Sequence, residues 1–165
     1  MNIFFLHPNT RRCAKWHCDK HVVKMILESC QLLYTIHWIV CDGIEPAYIH
    51  CAVSRGYKPT HQKHPCVLWL LESLSNYRWL VSLLKCLIDE YHYRYGNKRH
   101  RCEDHLDWLS IVEPELPRVG FTPPRCAMPD TYKRKNPVVA YRLYYKHEKT
   151  RMLTYTKRHR PHFLD

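Results

Sequence analysis

Apolar residues recur with the period of an α-helix along two long segments of the chain. The first follows a capping pair, Asn9-Thr10, and extends to about Val40; the second opens at His64-Pro65 and extends to about Tyr95. Asparagine or threonine before a periodic segment, and proline in its first turn, are typical helix starts. The pattern therefore predicts two long helices, and helices of this length are expected to pack against each other.

Shorter elements surround these two helices. The apolar run Met1–Leu6 predicts a strand or an extended segment in the core, and residues from about Asp42 to His64 predict a loop. Cys102–Val112 and Asn136–Lys149 predict short helices, while five prolines between Pro114 and Pro129 predict an extended segment that wraps around the core. The predicted fold class is all-α, a compact bundle of two long helices plus shorter ones.

The composition is that of a folded domain. The chain has 165 residues, of which 45% are hydrophobic and 13% aromatic, a balance far from that of disordered proteins. We expect a single helical domain over residues 1–150, followed by a basic tail over residues 151–165 that is either packed or partly disordered. With only four glycines, the chain has no glycine-rich phosphate loop.

The charge is strongly positive and unevenly distributed. The formal net charge is +11, and the stretch from Lys133 to Arg160 contains ten basic residues and one acid, Glu148. Such a segment favours phosphate-rich partners, and its interleaved tyrosines can stack on bases, so DNA or RNA is the predicted partner. The residues predicted to contact nucleic acid are Lys133, Arg134, Lys135, Arg142, Lys146, Lys149, Arg151, Lys157, Arg158, Arg160, Tyr141 and Tyr144. We expect Tyr141 to pack inward together with Tyr145, which is the alternative to base stacking.

The sequence also bears on membrane association and on the cellular compartment. The longest apolar stretch, Cys66–Ile88, is interrupted by charged residues, so we expect no membrane association. The start of the chain lacks a basic region typical of a signal peptide, and the nine cysteines are an odd number, so we expect reduced thiols and a protein that is not secreted. The sequence does not define an oligomeric state.

A stripe of polar residues follows the first predicted helix at spacings of 4, 3, 4, 3 and 4. Its members are His17, His21, Lys24, Glu28, Gln31 and Thr35. Spacings of three and four place these side chains on one helix face about 80° wide. Imidazole, amine and carboxylate groups can transfer protons or bind phosphate, but a solvated helix face or a buried structural network would give the same pattern.

A second polar pair, Glu72 and Asn76, lies one turn apart on the otherwise apolar second helix. Buried polar groups need partners, so this pair either belongs to a structural network or faces the stripe across the helix interface. The candidate catalytic residues are accordingly His17, His21, Lys24, Glu28 and Asn76.

A cofactor is not expected, although zinc is a minor alternative. His17 and His21 have the spacing of a two-ligand helical site, and His61, His64 and Cys66 lie close together in sequence. The chain has neither a Cys-x-x-Cys pair nor a His-Glu-x-x-His motif, so these histidines are more typical of surface or hydrogen-bonded core residues.

Residues 17–29, HCDKHVVKMILES, resemble a block in small proteins of tailed phages and of large DNA viruses of amoebae, including the marseillevirus group. His64-Pro65-Cys66, Arg94-Tyr95-Gly96 and Ala127-Met128-Pro129-Asp130 look like further blocks of the same family. This resemblance covers nearly the whole chain. It implies a viral protein that acts in the cytoplasm or nucleus of the infected cell or travels in the virion, and it implies no particular activity.

A weaker similarity is to the pyrimidine-dimer DNA glycosylases of phage T4 type, which are small, basic, all-helical enzymes with an amine nucleophile. The resemblance implies that His17, Glu28 and the pair Tyr144-Tyr145 are the counterparts of their functional residues. That family attacks with an N-terminal α-amine exposed by removal of methionine. Because Asn2 is too large for efficient removal of Met1, the amine is expected to be Lys24 or Lys20 instead.

Three functions remain open at this point. The first is a nucleic-acid-binding protein without catalysis, which uses the basic C-terminal region. The second is a DNA-processing enzyme of glycosylase or lyase type, which uses the stripe. The third is a structural or host-interaction protein in which the stripe is only a buried network.

Overall fold

The computed structural model describes residues 1–46 and 55–165. These residues form six α-helices and contain no strand, which confirms the predicted all-α class. The helices are α1 (Thr10–Trp16), α2 (Asp19–Val40), α3 (Pro65–Leu71), α4 (Leu74–Tyr95), α5 (His105–Ile111) and α6 (Pro137–Glu148). Single 3-10 turns lie at Asp130–Tyr132, Thr150–Met152 and His162–Leu164. The predicted loop from Asp42 to His64 lies partly outside the described residues.

The helix ends follow the capping residues in the sequence. Asn9 accepts the backbone N–H of Arg12 at the start of α1, and Asn136 accepts that of Val138 at the start of α6. Helix α4 ends at Gly96, whose φ of 72° is left-handed and suits glycine. These boundaries agree with the predicted ones.

Both predicted long helices are broken once, which the sequence analysis missed. The first break lies at His17 and Cys18, whose extended backbone separates α1 from α2. There the buried guanidinium of Arg94, from α4, donates to the carbonyl groups of Lys15 and His17 and to the Asp19 carboxylate. These bonds satisfy carbonyl groups at the end of α1 that a continuous helix would have paired internally.

The second break separates α3 from α4 at Ser73, whose backbone is extended and whose side chain caps the N–H of Ser75. Helices α2 and α4 pack against each other along the core, as predicted. Among the described residues, no helix combines the length and apolar character needed to cross a bilayer.

The segments outside the long helices close the core. Residues 3–6 are buried but form no strand. The proline-rich segment lies against α3 and α4, where the indole N–H of Trp69 donates to the Thr122 carbonyl at 2.9 Å. Helix α6 buries Tyr141 and Tyr145, as predicted, and the tail buries Leu164. The last turn of the chain packs Phe163 against Trp16 of α1.

Candidate active site

A cavity of about 260 Å³ opens where the start of the chain, the first half of α2 and the end of α6 come together. The residues that line it are Met1, Asn2, Phe4, Lys20, His21, Lys24, Met25, Glu28, Tyr144, Lys149 and Met152. We call it the Glu28 pocket. It contains three of the five predicted catalytic residues, His21, Lys24 and Glu28.

Glu28 is the acidic centre of the pocket. Its side chain is only 9% exposed, and its Oε2 accepts the backbone N–H of Asn2 at 3.0 Å. Its Oε1 lies 3.2 Å from Lys24 Nζ and 3.9 Å from the α-amine of Met1. A largely buried carboxylate thus faces two amines in an open cavity, an arrangement suited to moving protons to and from an amine nucleophile.

The α-amine of Met1 lies in the pocket, although the sequence analysis set the N-terminal amine aside in favour of Lys24 or Lys20. The apolar run at residues 3–6 does predict burial of the chain start, but nothing in the sequence says against which helix residue it lies. The structure places the Met1 amine 3.9 Å from Glu28 Oε1. The amine candidates are therefore the α-amine, Lys24 and Lys20 rather than the two lysines alone.

His21 lines the pocket as a neutral imidazole. Burial, with smaller contributions from His17, Lys149 and Lys24, lowers the pKa of His21 to about 3. Its Nδ1 lies 2.8 Å from the Tyr145 hydroxyl, which also accepts the backbone N–H of Cys18 at 2.9 Å. Because that hydroxyl oxygen already accepts one bond and its own proton needs an acceptor, the hydroxyl donates to Nδ1. His21 then carries its proton on Nε2 and is a hydrogen-bond donor at neutral pH.

Phe4 holds the His21 ring from the other side. The two rings stack with centroids 4.5 Å apart and planes 20° from parallel. Phe4 has a φ of 43°, a left-handed conformation that is costly for a bulky side chain, on the order of 1–3 kcal/mol. Strained backbone of this kind is concentrated at functional sites.

The remaining wall of the pocket is cationic and aromatic. Lys149 Nζ lies 4.9 Å from the ring centroid of Tyr144 and 5.8 Å from that of Phe4. Together with the exposed Lys20 and Lys24 it surrounds the opening with positive charge. Such an opening attracts a phosphate-bearing ligand.

Two predicted catalytic residues lie outside the pocket. His17 is not in α2 but at the end of α1, where it is fully buried with Nδ1 2.8 Å from the Cys13 carbonyl. Burial is the main reason that its pKa is lowered to about 4. Asn76 is also fully buried and bonds to Thr122 and to the Trp69 carbonyl.

The Glu72–Asn76 pair faces the proline-rich segment rather than the stripe. Glu72 accepts the hydroxyl of Thr122 at 2.6 Å and the guanidinium of Arg125 at 2.7 Å. The juxtaposition of this pair with α2, one of the two arrangements considered from the sequence, is not found. The sequence analysis placed the pair on one continuous helix, but Glu72 caps the end of α3 and Asn76 lies in α4, beyond the break at Ser73.

The predicted nucleic-acid-binding residues fall into two groups. Several are engaged within the fold: Arg158 binds Glu90 at 2.6 Å, and Arg142 donates to the Leu6 carbonyl and lies over Trp16. Tyr141 is buried, with its hydroxyl bonded to the Arg125 carbonyl, and cannot stack on a base in this conformation. The exposed cations are Lys133, Arg134, Lys135, Arg151, Lys157 and Arg160.

The histidines and cysteines suggested as zinc ligands are dispersed. His64 accepts the backbone N–H of Cys66, and His61 bonds to the Thr60 hydroxyl. No group of three or more potential metal ligands occurs within residues 1–46 and 55–165.

Fold and pocket together define a small all-helical protein whose chain start brings an amine to a helix-borne glutamate. A sequence model of the pyrimidine dimer DNA glycosylases matches residues 1–104. The chain belongs to that family. The matched residues include Met1, His21, Lys24 and Glu28, whereas Tyr144 on α6 and Lys149 directly after this helix lie beyond them. No curated protein and no solved structure has a significant match.

Proposed function

We propose that the protein is a DNA glycosylase with lyase activity, which acts on damaged pyrimidines through an amine in the Glu28 pocket. The observation that carries the proposal is the contact of the largely buried Glu28 carboxylate with the start of the chain and with Lys24. Membership of the family supports DNA as the substrate. The imine chemistry is carried by the amine itself and calls for no cofactor.

The α-amine of the chain is the preferred nucleophile. In model peptides α-amines are less basic than lysine side chains by about 2.5 pKa units, which leaves more of the neutral, nucleophilic form near neutral pH. Lys24, the alternative, has a side chain 63% exposed and forms an ion pair with Glu28 one helical turn away. If Met1 is removed, the new α-amine is the Asn2 nitrogen, which already lies 3.0 Å from Glu28 Oε2.

The reaction proceeds in successive steps at the deoxyribose. The neutral amine attacks C1′, the glycosidic bond breaks, and the base departs with the bonding pair and takes up a proton. Ring opening then gives an imine between C1′ and the enzyme nitrogen. Loss of a C2′ proton and cleavage of the C3′–O bond cut the strand, and water releases the enzyme. Glu28 accepts the proton that the amine loses on attack and stabilises the cationic imine.

His21 contributes a neutral donor to the same pocket. Its Nε2–H can hydrogen-bond to a sugar or phosphate oxygen without adding charge. The cations around the opening, Lys20, Lys24 and Lys149, neutralise the backbone phosphates that flank the lesion. Extrusion of the damaged nucleotide from the stack is needed for C1′ to reach the pocket.

Borohydride trapping tests this proposal directly. The full chain is incubated with duplex DNA containing one cyclobutane pyrimidine dimer, and in parallel with a duplex containing an abasic site, in the presence of sodium borohydride. Borohydride reduces the imine to a stable amine, so we expect a covalent protein–DNA adduct that Glu28→Gln loses. Peptide mapping should place it on residue 1 or 2. An adduct on Lys24 would show that Lys24, and not the α-amine, is the nucleophile. The absence of any adduct on either substrate would overturn the proposal.

A nucleic-acid-binding role without catalysis is the second candidate, favoured by the exposed cations of the C-terminal region. In that case binding should weaken steeply with salt, and intact and dimer-containing duplexes should bind equally. The resemblance to viral proteins extends either proposal to an infected cell, in its cytoplasm or nucleus, or to a virus particle. Immunodetection of the protein in purified particles and in fractions of infected cells tests that setting.

A further inference from the structure

A second cavity, of about 980 Å³, lies beside α2 and shares Lys24 with the Glu28 pocket. Its walls include Tyr57, His100 and Cys102, together with the cations Arg55 and Arg101. The proposed imine chemistry uses none of these five residues. We call it the Cys102 cavity.

The Cys102 thiol lies among polar groups of three neighbouring residues. Its Sγ lies 3.2 Å from the Tyr57 hydroxyl, while its backbone carbonyl accepts the Cys30 thiol at 3.9 Å and its backbone N–H donates to His100 Nδ1 at 3.1 Å. Cys30 first, and then His100 and Tyr57, lower the pKa of the Cys102 thiol. Hydrogen bonds to a thiolate favour the charged, nucleophilic form.

Cys30 is the matching partner on α2. It is fully buried, and the contact with Cys102 together with burial raises its pKa well above the usual value. Both cysteines are free thiols, and they lie 72 positions apart in the chain. A thiol that lines an open cavity, with a second thiol bonded to its own backbone carbonyl, is an arrangement suited to a sensor cysteine and its resolving partner.

We propose that Cys102 is an oxidation site for hydroperoxides and that Cys30 resolves the product to an intramolecular disulfide. The Arg55 and Arg101 side chains that line the cavity favour entry of polar or anionic hydroperoxides. This inference is independent of the proposed DNA chemistry, because it involves other residues and another cavity.

The chemistry balances in two steps. The Cys102 thiolate attacks the terminal oxygen of the hydroperoxide, the O–O bond breaks, and the leaving alkoxide or hydroxide takes up a proton, which leaves a sulfenic acid on Cys102. The Cys30 sulfur, having lost its proton, then attacks the Cys102 sulfur, the S–O bond breaks, and water departs. Two thiols are oxidised to one disulfide, and one hydroperoxide is reduced to an alcohol, or to water when it is hydrogen peroxide.

The disulfide would join α2 to the segment that precedes α5. A disulfide needs its sulfur atoms about 2.05 Å apart, so the Cys30 and Cys102 side chains must move towards each other. Cys102 lies in the turns of residues 101–104, whereas Cys30 lies within α2.

The test uses the reduced full chain and hydrogen peroxide at one equivalent. After the remaining thiols are alkylated, peptide mass mapping should find a Cys30–Cys102 disulfide in most of the protein. Cys13 and Cys66 are the internal controls, because burial raises the pKa of each to about 12, and both should remain alkylatable only after unfolding. In Cys30→Ser the sulfenic acid has no partner and should be captured on Cys102 by a dione reagent.

Tyr57→Phe gives a second readout that does not depend on removing a core thiol. It deletes one donor to Cys102, and alkylation of Cys102 by iodoacetamide should slow about tenfold relative to the unaltered chain. Reduced Cys102 after peroxide treatment, a disulfide to any cysteine other than Cys30, or equal alkylation rates of Cys102 and Cys66 would each overturn the proposal.

Discussion

Two polar clusters on the long helices look alike in sequence but differ in what surrounds them. Asn76 bonds through its side chain to Thr122 and to the Trp69 carbonyl, and Thr122 in turn bonds to Glu72. Every group in this cluster has a partner fixed by the fold. Glu28 instead shares its oxygens among a backbone N–H, an exposed lysine and an α-amine, and it faces an open cavity.

This difference indicates a structural role for the Glu72–Asn76 cluster and a chemical role for the Glu28 pocket. A network of hydrogen bonds within the fold fixes the proline-rich segment on α3 and α4. The Glu28 pocket has neighbouring amines that can exchange protons and a space that a sugar can enter. Breaking each cluster should therefore have opposite consequences for activity and stability.

Glu28→Gln should produce the largest effect on activity. Removal of a positioned acid–base group costs about 10²–10⁴-fold in rate, so single-turnover cleavage of dimer-containing DNA should fall by that factor, with DNA affinity nearly unchanged. Glu72→Gln is the matched control, since it makes the same chemical change in the closed cluster. It should retain activity and lose up to about 1 kcal/mol of unfolding free energy, since Glu72 and Arg125 are both partly exposed. Equal losses of activity in both variants would remove the distinction.

Acid should lower the free energy of unfolding, because His17 is buried as a neutral imidazole. The pKa of His17 is about 4 in the fold and about 6.5 in an unfolded chain. The unfolded chain therefore binds protons between these values when the folded chain does not. Stability is full above pH 6.5 and decreases as the pH falls toward 4, by up to about 3 kcal/mol from His17.

Urea unfolding at pH 7.5 and 4.5 measures this loss. His17→Gln should reduce the difference between the two pH values, whereas His159→Gln, on the surface, should leave it unchanged. If His17→Gln and the unaltered chain lose the same stability in acid, His17 is not the group responsible.

Tyr145→Phe tests whether the hydroxyl fixes the His21 tautomer. Without it, Nδ1 loses its donor and the proton can occupy either nitrogen, so the rate of DNA cleavage should fall about tenfold, the effect of one oriented hydrogen bond. The ¹⁵N chemical shifts of the imidazole should move from those of a single Nε2–H tautomer toward an average. Tyr144→Phe is the control, because the Tyr144 hydroxyl contacts Lys149 rather than His21; its His21 shifts should stay as they are.

The sequence predicted the helices wherever the signal was local. The caps Asn9 and Asn136 and the left-handed Gly96 mark helix ends in the structure as they do in the sequence. The breaks at His17 and Ser73 were missed because neither contains glycine or proline. The first depends on Arg94, which lies 77 residues further along the chain from His17, and helical periodicity contains no information about such a contact.

The site was predicted in the same partial way. Spacing on α2 placed His21, Lys24 and Glu28 on one face, and the structure brings these three into one pocket. Helical spacing could not place the Met1 amine in this pocket, because the position of the amine depends on how residues 3–6 enter the core. It also assigned His17 to the stripe, because an uninterrupted helix was assumed. Whether these residues catalyse a reaction stays a prediction.

The smallest expected effects concern the exposed and the engaged arginines of the C-terminal region. Arg151 is exposed, whereas Arg158 binds Glu90, a carboxylate only 5% exposed that Arg94 also contacts. Arg151→Ala should reduce DNA affinity a few-fold and lower the slope of log K against log salt by about 1. Arg158→Ala makes the same change in charge but should leave the slope unaltered and cost stability instead, because it leaves a buried carboxylate with one partner fewer.

Fluorescence anisotropy titrations from 50 to 300 mM salt (roughly the range over which phosphate contacts are screened) measure both slopes. Equal slopes in the two variants would mean that the Arg158–Glu90 pair opens on DNA, and the basic segment would then act as one continuous surface.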